Sequence, residues 1–231
     1  MCGRFTNELT WPELHALYSL SDEMHPVPKS NMQPRYNIAP TQDVLAVSEI
    51  GDGREMRFFK WGLVPSWAKD TSMGARLINA RSESVAEKPA FREAFKQRRC
   101  IIPADGFYEW QRTGGRKQPF FFRMRDEHPF GFAGLWERWE GEDGEVINSC
   151  AILTTEANEV LRPVHDRMPV ILHPDDYELW LGGSARELDL VKEVLRPYPA
   201  GEMVGYPVGS GVNSPRNQGA GLLERAALNS A

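Results

Sequence analysis

The chain has 231 residues, 41% of them hydrophobic, enough for one large domain with its own core. Its 27 Lys and Arg against 32 Asp and Glu leave a formal net charge of −5, which excludes a strongly basic nucleic-acid protein and confines any such site to a local cationic groove. No run approaches the roughly 20 apolar residues of a membrane span, no basic-then-apolar leader opens the chain, and three cysteines without metal-like spacing point to reduced thiols, so a soluble, cytoplasmic protein without a metal or cofactor is expected.

In chain order, Cys2 comes first. Once Met1 is removed, Cys2 carries an α-amine and a thiol on adjacent carbons, with ordinary pKa values of roughly 7.7–8.0 and about 8.5. Such a 1,2-aminothiol captures aldehydes: the amine forms a Schiff base, the thiol closes on the imine carbon, and a thiazolidine results. Gly3, Arg4 and Phe5 follow, a residue that permits close backbone approach, a fixed cation suited to phosphate and an apolar anchor.

Apolar spacing predicts a short helix over residues 11–20, and the Pro-rich, polar stretch 22–33 predicts a loop. Strands at 44–48 and 56–64 flank Gly51-Asp52-Gly53 and read as a hairpin. Residues 68–76 read as a loop, with Asp70, Ser72 and Gly74 in it, and residues 88–97 as a helix. Strands are predicted at 100–102, 106–111, 119–124, 130–136 and 147–155, with Thr113-Gly114-Gly115-Arg116 as a hairpin turn rather than a phosphate loop. Cys100 and Cys150 lie in two of these runs and read as core residues. Helices are predicted at 158–162, 175–181 and 186–195, and the chain from about Val208 is expected to wrap the surface.

Strands without regular helix alternation argue for an α+β fold, a single domain on a curved, mostly antiparallel sheet or barrel-like core with flanking helices. The domain is expected to span residues 1–222, with 223–231 a flexible tail.

Several polar residues sit in structured apolar surroundings, where each needs a partner or a purpose: Asn79 after Leu77-Ile78, Glu109 between Tyr108 and Trp110, and His165 at the head of His165-Asp166-Arg167-Met168-Pro169. With Met1-Cys2-Gly3-Arg4-Phe5, Arg35-Tyr36-Asn37-Ile38-Ala39-Pro40, Trp61-Gly62-Leu63-Val64-Pro65, Ile78-Asn79-Ala80-Arg81-Ser82-Glu83, Gly106-Phe107-Tyr108-Glu109-Trp110 and Asn217-Gln218-Gly219, the chain resembles the SRAP family of SOS response-associated peptidases. These motifs stand in the family's order over nearly the whole length. The stretch 68–76 departs from the pattern by being longer, which implies a different groove edge beside Trp67.

The resemblance implies covalent capture of abasic sites in single-stranded DNA, including those at junctions with duplex, by a monomer with no membrane partner. Cys2 would be the linking residue, Asn79 would orient the sugar-derived aldehyde, Glu109 and His165 would shuttle protons, and Met1 would be released by the same pocket. Acid–base assistance is needed because an abasic sugar is mostly a closed hemiacetal that must open first. Schiff-base chemistry also permits β-elimination, hence lyase activity. Arg4, Arg81 and Arg167 would meet phosphates, Asn37 and Pro40 would shape the pocket floor or touch DNA, and Trp67 and Trp110 would stack on bases, with core packing the alternative for both tryptophans. Two other functions fit the residue types: a cysteine peptidase acting on other proteins, with Cys2, His165 and Asn79 as nucleophile, base and orienter, and a noncovalent single-stranded DNA binder.

Overall fold

The computed structural model describes residues 2–20, 32–50 and 53–227. The predicted loop at 22–33 lies mostly outside these residues, as do Gly51 and Asp52 of the first predicted hairpin turn.

Three buried residues, Phe5–Asn7, form the first strand, β1. Helix α1, Trp11–Tyr18, starts with Pro12 in its first turn and the Glu13 carboxylate accepting from the Thr10 backbone N–H at 2.7 Å. It ends at Tyr18 because Ser19 takes the left-handed conformation, φ 50°. Then come β2 (Arg35–Ile38), β3 (Asp43–Ile50), β4 (Gly53–Trp61), β5 (Asn79–Arg81), α2 (Arg92–Gln97), β6 (Arg99–Ala104), β7 (Gly106–Thr113), β8 (Arg116–Met124), β9 (Phe130–Glu140) and β10 (Val146–Glu156). The chain closes with β11 (Arg167–Pro169), β12 (Ile171–Leu172), α3 (Tyr177–Gly182), α4 (Leu188–Glu193) and β13 (Met203–Pro207).

The strand predicted over 56–64 ends at Trp61 because Gly62 turns the chain at φ 135°, where a Cβ would meet Gly74 O at 2.6 Å. Residues 71–76, expected as loop, are a 3-10 helix whose first turn is capped by Asp70 accepting from Ser72 N–H at 2.9 Å. The helix predicted over 158–162 is instead a run of turns: Asn158 Oδ1 accepts from Leu161 N–H at 3.1 Å, and Pro163 stops further helix. At the β7–β8 hairpin Gly114 and Gly115 both have positive φ, 57° and 79°, as a tight two-residue turn requires.

Five strands close a barrel. Antiparallel pairings run β4–β3–β6–β9–β10, and β10 then meets β4 in parallel at Ser149↔Lys60 and Cys150↔Trp61. Closure removes free edges, and alternate residues Ala46, Phe59, Trp61, Cys100, Ile102, Cys150 and Ile152 share one core. Beyond the end of β4, β5 takes over the parallel pairing with β10. A second, antiparallel sheet has the order β13-β8-β7-β1-β2, and its Phe5 and Phe107 reach the barrel core, with Phe5 5.2 Å from Trp61 and Phe107 6.0 Å from Phe132 between ring centroids. The fold is the expected α+β single domain.

The segment after β13 straps the outer face of the second sheet. Val208 and Val212 bury against Tyr108, Phe121 and Tyr206, Ala226 N–H donates to Pro207 O at 2.9 Å, and Arg225 lies 4.6 Å over the Tyr206 ring. This segment keeps contacts with β13 as far as residue 226. No helix among the described residues is long and apolar enough to cross a membrane.

Candidate functional site

Cys2 lies at the seam between barrel and second sheet, just before β1, and is fully buried. Burial, helped by the charge of Glu109, pushes its thiol far above the ordinary range, so the sulfur holds its proton at neutral pH. Asn79, first residue of β5, donates from Nδ2 to Cys2 O at 2.8 Å. Its Oδ1 is buried and has no hydrogen-bond partner among the described residues. That is an acceptor in waiting beside the cysteine.

Glu109 sits in β7 with 2% of its surface exposed. Burial raises its carboxyl to about 7, and the nearby charge of Asp166 adds to the rise. A carboxyl tuned to neutrality both donates and accepts protons there. His165 follows the turns that end at Pro163, held by its own N–H to Leu161 O at 3.0 Å. Its Nδ1 accepts from Arg167 N–H at 2.9 Å and lies 3.0 Å from the Asp166 carboxylate. These contacts favour opposite protonation states. Burial depresses the imidazole pKa, so the neutral ring prevails near pH 7, with Nδ1 accepting and the proton on Nε2. Gln111 Nε2 donates to Pro163 O at 3.0 Å and ties this turn to β7. The four residues expected to do chemistry therefore converge from β5, β7, the chain start and the turn before β11.

The residues expected to contact DNA divide. Arg4, half-buried, donates from Nη1 to Asn37 Oδ1 at 2.6 Å and to Val212 O at 2.7 Å, and lies 5.8 Å from the centroid of the Trp110 ring. Trp110 is partly buried and donates from Nε1 to Asn213 Oδ1 at 2.7 Å. Trp67 is 59% exposed, which removes core packing as its role. Arg81 is exposed and Pro40 half-buried, in the turn between β2 and β3.

Two of the residues expected at the DNA already have partners within the protein. Asn37 is fully buried: besides Arg4 it serves Ser214 O at 2.9 Å and Asn217 O at 3.0 Å, so it holds Arg4 and the strap in place. Arg167 forms a fork with Glu83, at 2.5 and 2.9 Å, and donates to Thr154 O at 2.7 Å. Its charge is matched within the protein, and that contact draws the Glu83 carboxyl down.

Sequence reasoning missed Val212 and Asn213 because their role arises only where the strap crosses β7. The Asn217-Gln218-Gly219 motif carried a trace of this: Gln218 accepts from Tyr36 N–H and donates to Asn37 O, both at 3.1 Å. A cleft of about 860 Å³ by α1 and α3, lined in part by Leu17, Phe130 and Tyr177, contains none of the expected site residues. No cluster of three or more His, Cys, Asp or Glu suited to a metal is present among the described residues.

The sequence model of the SOS response associated peptidase (SRAP) family matches residues 1–215. The chain is 42% identical over 225 residues to the abasic site processing protein YoaM of Bacillus subtilis, covering 97% of this chain and 98% of that one. It is 32% identical to the abasic site processing protein YedK of Escherichia coli over 231 residues, 97% and 99% of the two chains. A crystal structure of a Bacteroides thetaiotaomicron protein superposes with a TM-score of 0.86 at 26% identity, covering 98% of this chain and all of the other.

Proposed function

The chain belongs to the SRAP family, and from that premise we propose that it captures abasic sites in single-stranded DNA as a covalent thiazolidine on Cys2, once Met1 has been removed. The observation that carries the proposal is a proton-bearing thiol next to a carboxyl titrating at about 7, with the vacant Asn79 acceptor alongside.

His165 and Glu109 open the hemiacetal, and Asn79 Oδ1 accepts a hydrogen bond from the freed sugar hydroxyl. The Cys2 amine attacks C1′, and protonated Glu109 gives its proton to the carbinolamine hydroxyl, which leaves as water. The resulting iminium is attacked by the thiol, whose proton passes to the Glu109 carboxylate. Aldehyde and aminothiol become thiazolidine plus one water, and Glu109 returns to its starting form. Positioning supplies most of the acceleration, since effective molarities of roughly 10⁵–10⁸ M exceed what one pKa shift contributes.

Release of Met1 by the same pocket, β-elimination from the iminium, and action as a monomer on DNA that includes single-strand/duplex junctions complete the proposal. Incubation with an abasic oligonucleotide is expected to give a protein–DNA band that survives denaturation and an intact mass lower by one water than the sum of the partners. Cys2→Ala is expected to give neither. An undiminished band in that variant overturns the proposal.

A further inference from the structure

β7 continues past Trp110 to the exposed Arg112, two residues on and therefore on the same face of the sheet. Directly across the ladder from Arg112 is Lys117, also exposed, and across from Trp110 is Pro119. Like charges set opposite one another in an antiparallel pair destabilise it, so this register works against the hairpin unless an anion lies between. Among the described residues neither side chain makes an ion pair or a hydrogen bond, and the protein as a whole carries a net charge of −5. An anion-attracting pair on an acidic body is a local feature.

Its place is also specific. The pair follows directly after Trp110, over which Arg4 lies, so cation, indole and two further cations run along one face toward the hairpin tip. Gln111, between Trp110 and Arg112, anchors the strand to Pro163 O. Beyond the pair, Gly114 and Gly115 leave open space, with nothing within 4 Å of a Cβ built on either. His165, its proton affinity lowered chiefly by burial, also feels the Arg112 charge, so the hairpin belongs to the electrostatic surroundings of the pocket.

We infer that the β7–β8 hairpin is an extended backbone clamp: Arg112 and Lys117 hold the phosphodiester backbone of the lesion-bearing DNA strand beyond the nucleotides seated in the pocket. The inference rests on the proposed capture of abasic DNA. It adds that affinity grows with strand length on one side of the lesion. Two unpaired side-chain cations and a stacking surface match a phosphate chain, whereas a protein partner would need an apolar centre that the hairpin tip lacks.

The test uses the Cys2→Ala form, so that binding is read without crosslinking, and abasic oligonucleotides extended stepwise on the 5′ or the 3′ side. The parent protein is expected to gain affinity as one side, and only one, lengthens. In R112Q/K117Q that gain is lost, and the slope of log affinity against log salt falls by roughly 1.4, the amount for two phosphate contacts to a single strand. R92Q/K96Q removes the same two charges from α2 and is expected to leave the slope unchanged. The thermal midpoint of R112Q/K117Q should equal or exceed the parent's, because like-charge repulsion is relieved. Equal affinity and slope in R112Q/K117Q and parent, or an equal fall in both double variants, overturns the clamp. If the parent binds no abasic oligonucleotide of any length, the proposed function itself fails.

Discussion

Asn37 and Asn79 are the same residue type, one under the strap on the outer face of the second sheet and the other beside Cys2, and their hydrogen bonding differs. Asn37 is saturated: its oxygen accepts from Arg4, and its nitrogen faces Ser214 O and Asn217 O. Asn79 makes one bond, to Cys2 O, and keeps a buried oxygen vacant. A satisfied buried amide stabilises the native state, while a vacant one has already paid its desolvation cost and gains when a ligand arrives. The contrast separates the framework of the site from its reacting part.

Glu109 offers the sharpest way to break that contrast. Glu109→Gln removes the proton donor and is expected to slow crosslinking by about 10²–10⁴-fold, read as the rate of appearance of the denaturation-resistant band. Its stability should move the other way. A carboxyl whose folded-state pKa is raised above the unfolded value contributes stability at low pH that is lost as pH rises, here between about 4.5 and about 7. Over that window the variant's thermal midpoint should gain on the wild type's, by the equivalent of up to roughly 3 kcal/mol.

The two asparagines should follow in opposite senses. Asn37→Ala leaves buried carbonyls and the Arg4 guanidinium short of partners and is expected to cost about 2–4 kcal/mol in denaturant unfolding. Asn79→Ala leaves only the Cys2 carbonyl short of a partner, so it should cost less, about 1–2 kcal/mol, while lowering the crosslinking rate at least 10-fold. If Asn79→Ala proves the more destabilising of the two, the division between framework and reacting part is wrong.

The pH profile of crosslinking sharpens the pairing of Glu109 with His165. The rate should rise as His165 loses its proton, below pH 6.5, and fall as Glu109 ionises near 7, giving a narrow bell. In Glu109→Gln the alkaline limb should vanish. The smallest effect belongs to the strap: Asn213→Ala frees the Trp110 indole and is expected to weaken binding of single-stranded DNA by a few-fold and shift Trp fluorescence, with the crosslinking rate at saturating DNA unchanged.

Much of the fold was legible in local pattern. Alternating residues announced β3, β4 and the long strands β7 to β10, and Gly114-Gly115 announced its turn, because these depend on neighbours in the chain. Short strands such as β1, β5 and β13 were not legible, since three to five residues carry too little period and exist only through the strands they join. Asn158 to Arg162 carried a helical pattern that Pro163 did not let continue.

By itself the sequence determined which chemical groups are available and in what order: an aminothiol at residue 2, then an amide, a carboxyl and an imidazole in structured surroundings. Only the tertiary structure decided that burial lifts the Glu109 carboxyl to about 7, that Arg167 forks onto Glu83, and that Asn37 serves the strap while Asn79 keeps an oxygen free. Those are matters of desolvation and of partners far apart along the chain. They arise when the parallel pairing of β10 with β4 closes the barrel and the second sheet covers its seam.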